Sequence, residues 1–215
     1  MKYVLNSSNN IALFPATGQI PFIDVYSVSL LKNLQNQKLY KKTWNNVLQD
    51  KNAKVIILAY RPSLSFKKDY LANPELNTPA EMYRDGARRT FKLLNEANKK
   101  VMVVLDNPKL PFSPNLCNRK IRPFLLTGGG DVCRFDRALY DNNLAVKTYN
   151  RIVKEEASSY DNIYFIDFSK YLCDNKYCYL SKENKNLYRD QQGHFNTDGS
   201  RYIARYIKAF FDKIQ

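Results

Sequence analysis

Near its carboxyl end the chain carries the stretch LYRDQQGHFNTDGS, residues 187–200, with the one histidine of the sequence, His194, four residues after Asp190. An imidazole just ahead of a helix amino terminus feels the positive end of the helix dipole, which favours the neutral form that a general base needs. A carboxylate about one turn earlier can accept a hydrogen bond from Nδ1 and fix the tautomer. Together the pair would be the acid/base end of a site for nucleophilic chemistry. A lone D-x-x-x-H also suits a histidine that only packs and caps the helix, and spacing alone leaves both open.

The elements that must position such a pair alternate along the chain. Short apolar, β-branched runs occur at KYVL (2–5), KVIILAY (54–60), KVMVVLD (100–106) and NIYFIDF (162–168), the spacing expected when helices cross between parallel strands. One helix runs through KLYKKTWNNVLQ and brings Leu39, Trp44, Val47 and Leu48 near one face. Another has a full start signal, with Thr78 as N-cap, Pro79 in the first turn and Glu81 closing a capping box, followed by Met82, Phe91, Leu94 and Ala97 toward the core. A third covers about 142–160 and turns Leu144, Ile152 and Val153 inward. The last begins after Asn196 or Thr197 and presents Ile203, Tyr206, Ile207, Phe210 and Ile214. The pattern predicts an α/β fold, a three-layer sandwich with a parallel sheet, formed by residues 1–215 as one domain. In such folds chemistry gathers at the carboxyl ends of the strands. There the second run leads into YRPS with Arg61, the third into DNPKLPFSPNLC, and the fourth, through a Cys173 to Cys178 turn, into the Asp190 and His194 segment.

Composition bounds the function classes. The chain is 44% hydrophobic and 25% charged, and no apolar run approaches the roughly 20 residues that span a bilayer. The opening MKYVLNSSNNIALFPATG has one lysine and only short apolar pieces, so it does not read as a secretory signal. The formal net charge of +14 invites a nucleic-acid partner, yet the cations are scattered in ones and twos, as in LYKKTW, GARRTF and ANKKV. A solvated basic surface, or a basic face toward an anionic glycan or membrane, accounts for them better. The four cysteines fall into two local pairs, Cys117 with Cys133 and Cys173 with Cys178. Zinc would want tighter knuckles or histidines nearby, so two disulfides are expected and no metal. The longer bridge would stabilise the fold by about 3 kcal/mol through loop closure. Disulfides call for an oxidising compartment, which a chain without its own export signal reaches if it belongs to a longer protein.

Three segments in order and spacing, VVLDNPKLPFSPNLC, NIYFIDFSKYLCDNKYC and NLYRDQQGHFNTDGSRYIA, resemble the SGNH-type domain fused behind the multi-helix membrane domain of bacterial acyltransferase family three. The resemblance spans roughly residues 2–212, and the closing block is its most specific part. It implies an SGNH-hydrolase-like, flavodoxin-like fold, with His194 as catalytic base and Asp190 as its orienting partner. It also implies O-acetylation of a cell-envelope glycan such as lipopolysaccharide. The acyl donor would come from an upstream membrane domain, the site would face the periplasm at the inner membrane, and no cofactor would be needed. Arg61 resembles an arginine often found at that strand end, where a surface salt bridge is an equal explanation. The two cysteine pairs also match.

Two departures from the family pattern stand out. The family usually places the aspartate three residues before the histidine, whereas Asp190 is four before His194, so the loop bulges by one residue or the pairing loosens. The family's nucleophile lies in a Gly-Asp-Ser block at the end of the first strand, and these 215 residues contain no such block. KYVLNSSNN reads like the second strand of that fold, which places the serine upstream. Ser7 and Ser8 lack the strand-turn-helix elbow that exposes a serine, and Gly18 is only a loose match to the family's oxyanion glycine. The expected chemistry is Ser-His-Asp acyl transfer with the serine supplied from outside this sequence. A catalytically inactive glycan-binding module and a stand-alone carbohydrate esterase are the alternatives; a nucleic-acid binder is not expected.

Overall fold

The computed structural model describes residues 2–5, 9–12, 20–26, 34–60, 78–117 and 133–214. Its centre is a parallel sheet of β3 (Val55–Ala59), β4 (Lys100–Val104) and β6 (Ile163–Ile166), in the order β3-β4-β6, with helices on both sides. The register runs Val55 opposite Lys100 and Val101 opposite Ile163. Because side chains alternate along a strand, β4 feeds both layers. Val101 and Val103 enter one core with Leu58 and Ile163, while Met102 enters the other with Ile166. All three of these β4 side chains are fully buried.

The first core is covered by α1 (Leu34–Gln49), α2 (Pro79–Glu96) and α4 (Leu144–Ala157), and it also receives the irregular segment 20–26. The N-terminus of α2 forms as its sequence dictates: Glu81 N donates to Thr78 Oγ1 at 3.2 Å, and Thr78 N donates to Glu81 Oε2 at 2.9 Å. Its inner face buries Met82, Phe91 and Leu94. Phe22 sits in the middle of this core, edge-on to Tyr83 and Phe91 at 6.1 Å each. Two backbone ties hold its segment there: Ile23 N donates to Thr90 Oγ1, and the Tyr40 hydroxyl reaches the carbonyl oxygen of Phe22. On the rim, Arg84 bonds Glu155 at 2.6 Å and Glu156 at 2.7 Å, clasping α2 to α4.

The second core lies under α6 (Thr197–Ile214), whose Ile203 is buried and whose Ile207 and Phe210 pack against it. Smaller elements fill the remaining edge: β5 (Arg134–Asp136) pairs antiparallel with β7 (Tyr177–Tyr179), and α3 (Arg137–Asp141) and α5 (Ser169–Leu172) flank them. Beyond β7, β8 (Ser181–Lys182) and β9 (Lys185–Asn186) form a tight hairpin.

Several expectations are corrected. KYVL does not join the parallel sheet: β1 (Lys2–Leu5) pairs antiparallel with β2 (Asn9–Ala12). Three intervening residues are far too few for a parallel crossover, so proximity favours a hairpin. Leu39 and Leu144 point outward, 63% and 77% exposed; in their helices the inner faces belong to Tyr40 and Trp44, and to Tyr149, Ile152 and Val153. Cys173 and Cys178 form a disulfide across an antiparallel bridge. Cys117 and Cys133 do not bridge each other. The Cys133 thiol donates to the Cys117 carbonyl oxygen, 3.5 Å away.

Phe91 and Glu155 separate the contributions of core and rim. Phe91→Ala removes a fully buried ring and should lower unfolding stability by about 3–5 kcal/mol in urea titrations, whereas Glu155→Gln, at the solvated clasp, should barely move the midpoint.

Candidate functional site

The loop from Tyr188 to Phe195 leaves the β8-β9 hairpin and enters α6. Its base is closed by an antiparallel bridge between Tyr188 and Phe195 and by Arg189 N donating to the His194 carbonyl at 2.8 Å. The far end is fixed at the helix start. Asn196 N donates to Leu187 O at 3.0 Å, and the Asn196 side chain accepts from Gly199 N at 2.9 Å, as an N-cap does. Gly199 is required there, because a Cβ would lie 1.9 Å from the Leu187 carbonyl oxygen.

Within this frame the structure brings Asp190 and His194 together. His194 Nδ1 lies 2.9 Å from Asp190 Oδ2 and 3.0 Å from Oδ1. The four-residue spacing is accommodated by a turn in which Gly193 N donates to Asp190 O and Gly193 adopts φ +85°, a left-handed conformation that suits glycine. The loop thus takes up the extra residue while the carboxylate stays on the ring. The imidazole is half-exposed, and its Nε2 has no partner among the described residues. With Asp190 accepting from Nδ1–H, Nε2 is left with its lone pair outward, the arrangement of a general base.

Burial alone would raise the Asp190 carboxyl, but the hydrogen bonds from His194 and Arg189 outweigh it and hold the group down at about 2. Arg189 Nε sits 3.2 Å from Asp190 Oδ2. The aspartate is therefore ionised across the pH range in which an imidazole works as a base.

The loop rests on the carboxyl end of β4. Asn107 Nδ2 donates to the Gly193 carbonyl at 2.6 Å, and Gln191 Nε2 donates to the Pro111 carbonyl at 3.2 Å. Tyr140 steadies the same strand end by donating to the Asp106 carbonyl at 2.8 Å. Asn107, Gln191 and Tyr140 escape a reading of the sequence because none belongs to a catalytic residue pattern. The one usable signal is Asn-Pro directly after a buried strand, which forces an extended residue at the sheet edge.

Arg61, Ser7, Ser8 and Gly18 lie outside the described residues. The two cysteines of the disulfide sit on the approach to the loop, where Asp174 organises the turn by accepting from Lys176 N and Tyr177 N at 2.7 Å each. Among the described residues no group of three or more His, Cys, Asp or Glu side chains is arranged to hold a metal ion.

Two measurements test the geometry. His194 is the one histidine, so its imidazole nitrogen resonances are unambiguous. The neutral ring should carry its proton on Nδ1, and Asp190→Asn should return it to the Nε2–H tautomer. The folded Asp190 carboxyl lies below its ordinary 3.8, as does that of Asp174, held down at about 2 chiefly by its bond from Tyr179. The linked stability is thus fully present above about pH 4 and is lost as pH falls toward 2; Asp190→Asn should flatten part of that decline in unfolding curves.

Comparison with known proteins adds one match. A family model described as SGNH domain (fused to AT3 domains) matches residues 4–209. No curated protein matches the chain.

Proposed function

Since the chain belongs to the family of SGNH domains fused to acyltransferase-3 domains, we propose that it carries the acid/base half of an O-acyltransferase that acetylates a cell-envelope glycan. The observation that carries this reading is the Nδ1 to Oδ2 contact of 2.9 Å between His194 and Asp190, with Nε2 turned to solvent.

In this reading His194 Nε2 takes the proton of a serine hydroxyl as the serine oxygen attacks the acetyl donor, and Asp190 stabilises the imidazolium that results. Collapse of the tetrahedral intermediate breaks the bond to the donor's leaving group, which takes the proton from Nε2. A glycan hydroxyl then gives its proton to Nε2, attacks the acyl-serine, and leaves as the acetyl ester while the serine regains a proton. Water as acceptor would give hydrolysis by the same steps. This reading requires a serine hydroxyl within reach of Nε2, and these 215 residues contain no Gly-Asp-Ser block to supply it. Arg61 is assigned a role in binding on the family resemblance of its sequence context, YRPS.

A membrane-anchored protein with this domain on the periplasmic side fits the family description. It fits the Cys173–Cys178 disulfide as well, since such bonds persist in oxidising compartments. No helix of the described residues is long and apolar enough to cross a membrane.

The test is turnover of p-nitrophenyl acetate by residues 1–215 and by a version extended upstream in its gene through a Gly-Asp-Ser block. The short chain should give only background, because a base activates a hydroxyl only within about 2.6–3.2 Å. The extended chain should turn over, and His194→Ala should reduce its kcat by about 1,000-fold or more. Robust turnover by the short chain that vanishes on Ser7→Ala or Ser8→Ala would refute the assignment.

A further inference from the structure

Away from the Asp190 and His194 pair, the β8-β9 hairpin and α6 enclose a cleft of about 220 Å³. Helical spacing builds one wall, since Asp198, Arg201, Tyr202 and Arg205 fall on one stripe of α6 at i, i+3, i+4 and i+7. Lys182, Glu183 and Lys185 of the hairpin form the other. Two of the four cations are already committed: Lys185 bonds Asp198 at 3.3 Å and Arg205 bonds Glu183 at 3.0 Å. Arg201 makes no ion pair among the described residues, and Lys182 makes none within 4.0 Å, although its charge reaches Asp174 outside the cleft; with four cations against Glu183 and Asp198, the lining carries an excess of two positive charges.

Aromatic surface accompanies that charge. Lys182 Nζ lies 4.1 Å from the centre of the Tyr179 ring, and the Arg205 guanidinium lies 4.8 Å from that of Tyr202. Tyr202 is itself fixed, edge-on to Tyr206 at 5.4 Å. These contacts hold the cationic side chains in place before any ligand arrives, which lowers the ordering cost of binding.

We propose that this cleft binds a sugar phosphate monoester. A net excess of two positive charges in the lining matches a phosphate dianion better than a singly charged carboxylate, and both lysine and arginine donate strong charge-assisted bonds to phosphate oxygens. Tyr202 offers the apolar wall against which a sugar ring can lie. The volume leaves room for one sugar ring. The proposal is independent of the acyl-transfer reading, because binding is measured without turnover.

Isothermal titration calorimetry of the 215-residue chain with glucose 6-phosphate, glucose, glucuronate and inorganic phosphate tests it. Glucose 6-phosphate should bind saturably and at least tenfold more tightly than each of the others. Arg201→Glu should weaken it at least tenfold, as should Lys182→Glu, with unchanged circular dichroism. Lys154→Glu makes the same change of net charge on exposed α4 and should leave binding as it was. The proposal is overturned if no saturable heat appears, if inorganic phosphate or glucuronate binds as tightly as glucose 6-phosphate, or if Lys154→Glu weakens binding as much as Arg201→Glu.

Discussion

Strand β4 is the constraint from which the rest of the molecule takes its position. It is hydrogen-bonded to a parallel neighbour on each edge and buried on each face, so its side chains must satisfy two helical layers at once. The same strand runs straight into Asp106 and Asn107, and Asn107 holds the Gly193 carbonyl. The placement of the imidazole is therefore a consequence of sheet geometry carried through one side-chain amide. A loop anchored in this way keeps its dyad assembled although both members are partly solvated, because the ordering cost is met by contacts at the loop's base and at the start of α6.

Much of this was legible in the chain. The three parallel strands announced themselves as apolar runs, and the capping box at Thr78 and Glu81 marked the start of α2 because its chemistry is local. The Asp190 and His194 spacing was visible for the same reason. What stayed hidden depends on tertiary contact. Phe22 lies in a segment with no helical or strand period, and its burial follows from three aromatic rings brought from α2 and α4. Leu39 and Leu144 obey helical spacing yet face solvent, since the choice of inner face was made by larger neighbours, Tyr40 with Trp44 and Tyr149. Asn107 acts through a bond spanning 86 positions, a separation no local pattern encodes.

The charge of the chain is likewise organised more finely than its total suggests. Acidic side chains are concentrated in paired positions: Glu155 and Glu156 clasp two helices, Asp190 orients a ring, and Asp174 holds a turn. Most of the surplus of cations is left solvated, where screening makes each worth little for stability. Positive charge at the surface thus shapes encounters with anions more than it shapes the fold.

The outer edge of β3 has a further consequence. Among the described residues β3 pairs with β4 alone, and Ile57 on its less covered face is 42% exposed. Such an edge offers a row of backbone donors and acceptors to any extended segment that reaches it. With a net charge of +14, two copies repel each other in dilute buffer before their edges can meet. Concentrated salt shortens that repulsion to about 3 Å and removes the protection. Colloidal behaviour and sheet topology are thereby coupled wherever such a border is left open.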